Sequence, residues 1–132
     1  MGTAVNIQIK NSSDEPIYLQ VKKQIRDAII SGELAPDELL PSIRLLAKEL
    51  RISVITTKRA YDELEQDGFI HTVQGKGSFV ASRNNALMQE TLLKKIESYL
   101  REALHYAKLA KISRTQLAAM LKVLEEDDGA CD

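Results

Sequence analysis

Cysteine is all but absent from this 132-residue chain: the lone Cys131 sits in an acidic tail, EEDDGACD, with no second cysteine and no nearby histidine. That excludes a disulfide framework and a cysteine-based metal site, and leaves an expected free, exposed thiol. Tryptophan is missing and aromatics make up 5% of the residues, whereas leucine, isoleucine, alanine, lysine and glutamate are plentiful, which favours helices. No apolar run approaches the roughly 18 residues of a membrane span, and the amino terminus lacks the basic-then-apolar pattern of a signal peptide. The expected location is the cytoplasm, with no membrane partner. An excess of charge is lacking too, since 18 basic residues face 19 acidic ones for a net charge of -1. Any surface for nucleic acid must therefore come from local placement of lysine and arginine. The length allows one compact domain with an appendage, or two small units.

Catalytic signals are equally sparse. Enzyme chemistry would need a nucleophile beside a base, a carboxylate pair in a pocket or a metal cluster, and His71 and His105 stand isolated in the sequence. No catalytic residue, metal or cofactor is expected.

Along the chain, residues 1–15 are polar and without period, and predict an extended or frayed arm. From Pro16 onward, Ile17, Val21, Ile25, Ala28 and Ile29 recur at helical spacing until Gly32 ends the helix. ELAPDELLPS reads as a loop, and a short second helix is predicted from about Ser42 to Leu50 with Leu45, Leu46 and Leu50 facing inward. The stretch LRISVITTKRAYDELEQDGFI then raises a question, because Ile52, Val54, Ile55, Thr56 and Thr57 are all β-branched and poor at starting a helix. Ser53 as N-cap offsets part of that weakness by accepting from the first-turn N–H groups. At 100° per residue, Thr57, Ala60, Tyr61 and Leu64 share the core face, and Ile55, Arg59 and Asp62 point away. An exposed isoleucine at a helix entrance makes sense if that face meets something. Short β-branched and hydroxyl side chains there can press against base edges, with a methyl for thymine and hydroxyls for bases or phosphates.

Beyond Gly68 the period becomes alternating. FIHTV and GSFVA are short β runs joined by QGKG, a tight turn with Lys76 at its tip. Two strands alone are marginal in water and must pack on the helices. Three helices followed by a cation-bearing hairpin spell a winged helix-turn-helix over residues 16–82.

The segment PIYLQVKKQIRDAIISGELAPDELLPSIRLLAKELRISVITTKRAYDELEQDGFIHTVQGKGSFVA resembles, in order and without gaps, the amino-terminal domain of the GntR family of bacterial transcriptional regulators. PIYLQV, SGELAPDELLPSIRLLAKEL, TTKRAYDELEQDGFI and GKGSFV carry the resemblance. The short carboxyl-terminal segment resembles the YtrA-type subfamily, which has a small helical dimerisation unit in place of a large effector-binding domain. The resemblance implies DNA contacts from Arg44 of LPSIR, from Thr56 to the DNA backbone, from Lys58 with its neighbour Arg59, and from Gly75 and Lys76 of the wing near the minor groove. With Ser53 and Ile55 from the reading of the helix itself, these residues form the candidate DNA-binding set. Val54 stands where many family members have arginine, so that contact is not carried over. Asp37 replaces a usual glycine after Pro36, which suggests a slightly different turn.

The remaining segment predicts a helical hairpin over 83–126, ahead of an acidic tail at 127–132. Leu93, Ile96, Leu100, Ala103, Leu104 and Ala107 form one stripe; Ser113 with Gln116 makes a capping box for a second helix carrying Leu117, Met120, Leu121 and Leu124. Two such helices cannot bury both apolar faces alone. Leu93, Ile96, Leu100, Leu104, Leu117, Met120, Leu121 and Leu124 are therefore expected to make a homodimer.

The expected architecture is mainly α with a small β-hairpin wing, and the expected function a dimeric, sequence-specific DNA-binding regulator. The family supplies repression and the dimer supplies a pseudo-palindromic operator of double-stranded DNA. The alternative is a winged-helix protein-interaction module without DNA binding, since fold does not dictate function. The placement of Arg44, Lys58, Arg59 and Lys76 on one side, with Asp62, Glu63, Glu65 and Asp67 toward the far end of the third helix, favours DNA. Operator sequence, regulated genes and any small-molecule effector are not legible in these residues.

Overall fold

The computed structural model describes residues 6–82 and 85–128. Its elements run α1 (Ile17–Ser31), α2 (Ile43–Leu50), α3 (Val54–Gln66), β1 (Ile70–Val73), β2 (Gly77–Val80), α4 (Ala86–Leu109) and α5 (Arg114–Asp127). Cys131 and most of the acidic tail lie outside the described residues. The chain divides into two compact units, Met1–Thr91 and Leu92–Asp132.

In the first unit, Pro16 pre-sets the entry to α1, and the N–H groups of Leu19 and Gln20 bond to its carbonyl. Gly32 closes the helix through its N–H to Ile29 O, and Leu34 folds back to bond Ala28 O and is itself buried. Val21, Ile25 and Ile29 of α1, Leu46 and Ala47 of α2 and Ala60, Tyr61 and Leu64 of α3 are buried with Phe69, Ile70 and Val80, and α3 packs on both α1 and α2. Of the three leucines expected to face inward from α2, Leu46 is buried and Leu50 half-buried, but Leu45 is 46% exposed. Ala47 takes its place in the core, because an eight-residue helix packed on one side buries only a narrow stripe.

The arm is docked rather than frayed over its described residues. Ile7 is buried, and two glutamines one turn apart on α1 read the extended backbone in pairs. Gln24 accepts from Gln8 N–H at 3.0 Å and donates to Gln8 O at 2.8 Å; Gln20 does the same at Lys10 with 2.8 and 3.1 Å. Periodicity could not show this, because the partners are side-chain amides and not a hydrophobic face.

β1 and β2 pair antiparallel in the register Ile70↔Val80, His71↔Phe79, Thr72↔Ser78, Val73↔Gly77. The loop before α2 contributes more than a connection. Leu39 bridges Phe79, Leu40 N–H bonds to Ser78 O and Val80 N–H to Glu38 O, so the second edge of β2 is paired. Asp37 has φ 65, the left-handed region glycine enters freely, so the turn keeps glycine-like geometry. The start of α4 belongs to this unit: Met88 is buried and Thr91 Oγ1 donates to Asp67 O at 2.9 Å.

The second unit is a helical hairpin. Ser113 accepts from Gln116 N–H at 3.1 Å while the Gln116 side chain accepts from Ser113 N–H at 2.9 Å, so the capping box forms. No helix among the described residues is long and apolar enough to cross a membrane.

Candidate nucleic-acid interface

The entrance of α3 is built from local hydrogen bonds. Ser53 Oγ accepts from Thr56 N–H at 3.0 Å and donates to Thr56 Oγ1 at 2.7 Å. With one lone pair of Thr56 Oγ1 already engaged, its own O–H is left to donate outward. Thr57 is turned inward, where its hydroxyl bonds to Ser53 O at 3.1 Å. The β-branched start is thus capped, with one threonine satisfied inside and the other held at the surface.

Two deeper contacts fix α3 against its neighbours. Buried Tyr61 donates to Pro41 O at 2.7 Å, tying the middle of α3 to the segment just before α2. Burial pushes the Tyr61 hydroxyl up from its ordinary pKa, so it remains a donor. On the other side, Lys22 of α1 bonds both Glu63 Oε1 and Asp67 Oδ2 at 3.0 Å. For Lys22, burial works against the ammonium, but hydrogen bonds to the two carboxylates outweigh it and its pKa rises. The same bond from Lys22, against a smaller cost of burial and with help from Arg59, holds the Glu63 carboxyl below its ordinary range.

The outward face is apolar at its tip. Ile55 is 82% exposed and Val54 also stands in solvent, an uncompensated cost in an isolated chain. Arg44 on α2 and Lys58 and Arg59 on α3 are exposed, as are Gly75 and Lys76 at the wing tip. Gly75 has φ 80 and a Cβ added there would meet nothing within 4 Å, so the need for glycine comes from backbone conformation alone. Lys76 N–H closes the turn on Val73 O at 2.9 Å.

The separation of charge along α3 is less clean than the sequence order suggests. Asp62 pairs with Lys58 at 2.7 Å and Glu63 with Arg59 at 3.3 Å, so two of the four acids sit beside the candidate cations. His71 lies exposed on β1, stacked on Phe79 at 5.7 Å, and His105 lies on α4. Groups of three or more histidines, cysteines or acids able to hold a metal ion are absent among the described residues. Tyr18, which no spacing pattern singled out, lies under the Arg59 guanidinium at 3.7 Å from the ring centroid. Its signal was only its place in PIYLQV and the scarcity of aromatics.

The sequence profile described as "Bacterial regulatory proteins, gntR family" matches residues 17–80. The HTH-type transcriptional repressor YtrA of Bacillus subtilis (strain 168) is 30% identical over 92% of this chain and 93% of its own length. The chain belongs to the gntR family of bacterial regulatory proteins. Similarity in structure extends along the gntR-family chain as well. A transcriptional antiterminator from Listeria monocytogenes EGD-e matches with TM-score 0.71 and 27% identity over 96% of this chain and 95% of that one. AraR(DBD) in complex with operator ORX1 matches with TM-score 0.52 and 29% identity over 60% of this chain and 99% of that one. As a gntR-family protein with a winged helix-turn-helix, the chain is a DNA-binding transcriptional regulator and not an enzyme.

Proposed function

We propose that the chain is a homodimeric repressor that works in the cytoplasm by occupying a pseudo-palindromic operator. In this reading α3 enters the major groove, Ile55 meets a thymine methyl, and Ser53 and Thr56 fix the helix entrance against the DNA backbone. Arg44, Lys58 and Arg59 neutralise phosphates or reach base edges, and Gly75 with Lys76 brings the wing to the minor groove. The observation that carries the reading is the first turn of α3: a capped, rigidly packed helix presents Ile55 almost wholly to solvent. The repressor name of the Bacillus subtilis relative and the operator-bound state of AraR(DBD) support it.

The second unit supports the dimer. Leu93, Ile96, Leu100, Leu104, Met120, Leu121 and Leu124 are all more than half or about half exposed, and Leu117 is half-buried. A symmetric pair of hairpins would cover these stripes as a four-helix arrangement. Selection of bound duplexes from a random pool tests the function directly. Enrichment of two related half-sites in inverted orientation is expected; failure to enrich any sequence would contradict operator recognition.

A further inference from the structure

The two cations of α3 differ in their surroundings. Both are more than half exposed and both pair four residues on, Lys58 with Asp62 and Arg59 with Glu63; among the described residues Asp62 is the one partner of Lys58, the loose pairing of an ordinary helix surface. Arg59 also has its guanidinium carbon 3.7 Å from the centroid of the Tyr18 ring on α1, and its Nε donates to Glu63 Oε2 at 3.3 Å. Glu63 is in turn fixed by Lys22, whose other bond goes to Asp67 at the end of α3. Ring, carboxylate and ammonium together restrict the freedom of one guanidinium.

That constraint selects which atoms remain for a ligand. Nε is the only guanidinium nitrogen engaged among the described residues, so the four Nη protons remain for an outside acceptor. Two parallel N–H groups on a planar fork match a phosphate, and a fork already oriented loses less freedom on binding than a loose lysine. The ring adds attraction without consuming a proton.

We propose that Tyr18 and Glu63 are positioning residues that pre-orient Arg59 to grip a DNA phosphate, while Lys58 is the adaptable cation beside it. This rests on the proposed reading of α3 as the DNA-facing helix. Tyr18 acts through Arg59 and reads no base, so its effect is the same on every sequence.

The test is a double-mutant cycle on the full chain, measured as affinity for a selected duplex across a range of salt. Arg59→Ala should weaken binding and make the slope of log K against log salt shallower by about 0.9, one phosphate contact. Tyr18→Leu, which keeps bulk without the π face, should weaken binding about two- to fivefold, the scale of an exposed cation–π contact. Tyr18→Phe should restore wild-type affinity, and Tyr18→Leu should have no further effect in the Arg59→Ala background. Should Tyr18→Leu fail to fold by circular dichroism, Tyr18→Met, also without a π face and without a change of charge, enters the same cycle with the same expectation. Equal losses with and without Arg59, or no loss at all, would overturn the positioning role. Wild-type affinity in Arg59→Ala would overturn it as well while leaving DNA binding intact, whereas a wild-type chain that binds no duplex would remove the underlying reading of α3.

Discussion

In the proposed reading, Ile55 concentrates the trade between stability and recognition. It touches little in the chain itself, so Ile55→Ala should leave the thermal midpoint nearly unchanged. Discrimination at one base step of each half-site should fall by roughly 1 kcal/mol or less, the scale of one or two buried methylenes. Thermal melts and competition binding with single-base variants check the two halves separately. A large loss of stability with unaltered specificity would count against a DNA-facing role. Lys22 and Glu63 give the pH behaviour. Glu63 has a lowered pKa, so its contribution is present above the ordinary value of 4.5 and is lost as pH falls through the lower folded-state value. Lys22 has a raised pKa, so its contribution holds below the ordinary 10.5 and is lost as pH rises past the folded-state value. Lys22→Met should cost no more than about 1 kcal/mol at neutral pH, because the pair is partly exposed, and less at pH 3. Urea melts of the two chains at both pH values check this.

At the scale of elements, what could be read in the sequence was what neighbours in sequence decide. Ser53 and Ser113 cap as read because an N-cap bond spans three residues, and the wing turn follows from glycines at fixed positions. Thr57, Ala60, Tyr61 and Leu64 fell on the buried face because helical period alone sorts them. Leu45 did not, since which leucines of a short helix are covered depends on what packs there. The glutamine-held arm, the Leu39 bridge to Phe79 and the Tyr18–Arg59 stack are contacts between distant segments, and no local pattern encodes them. Gly68 is another such case. It has φ +84, and a Cβ there would lie 2.7 Å from Met88 N, where the start of α4 crosses close to the end of α3. Gly68→Ala should therefore destabilise by at least about 1–2 kcal/mol, the cost of the left-handed backbone before the clash is added. Denaturant unfolding measures it. At the wing, Lys76→Ala should weaken binding to all duplexes alike with a salt slope shallower by about 0.9, read from titrations at several salt concentrations. Unchanged affinity and slope would remove the wing tip from the interface.

For the molecule as a whole, the packing of Met88 and Thr91 sets where it can be divided. A cut after Ser82 would strip both from the first unit, so a winged fragment should end after Thr91. Within the hairpin, open apolar grooves of about 260 Å³ beside Ala103, Tyr106 and Leu117 and of about 370 Å³ beside Ala119, Val123 and Leu124 meet at Met120. In the proposed dimer such grooves would receive a partner's side chains. In the proposed reading, two-fold pairing of hairpins would demand paired half-sites, near one helical turn apart if both α3 helices enter the same face of the duplex, and linkage would raise the local concentration of the second reader. Sedimentation velocity of the full chain with a selected duplex tests that most directly. Two chains per duplex are expected, sedimenting as a dimer before DNA is added, with binding lost when one half-site is scrambled. A single chain per duplex, bound equally well to one half-site, would contradict the dimeric operator-binding role.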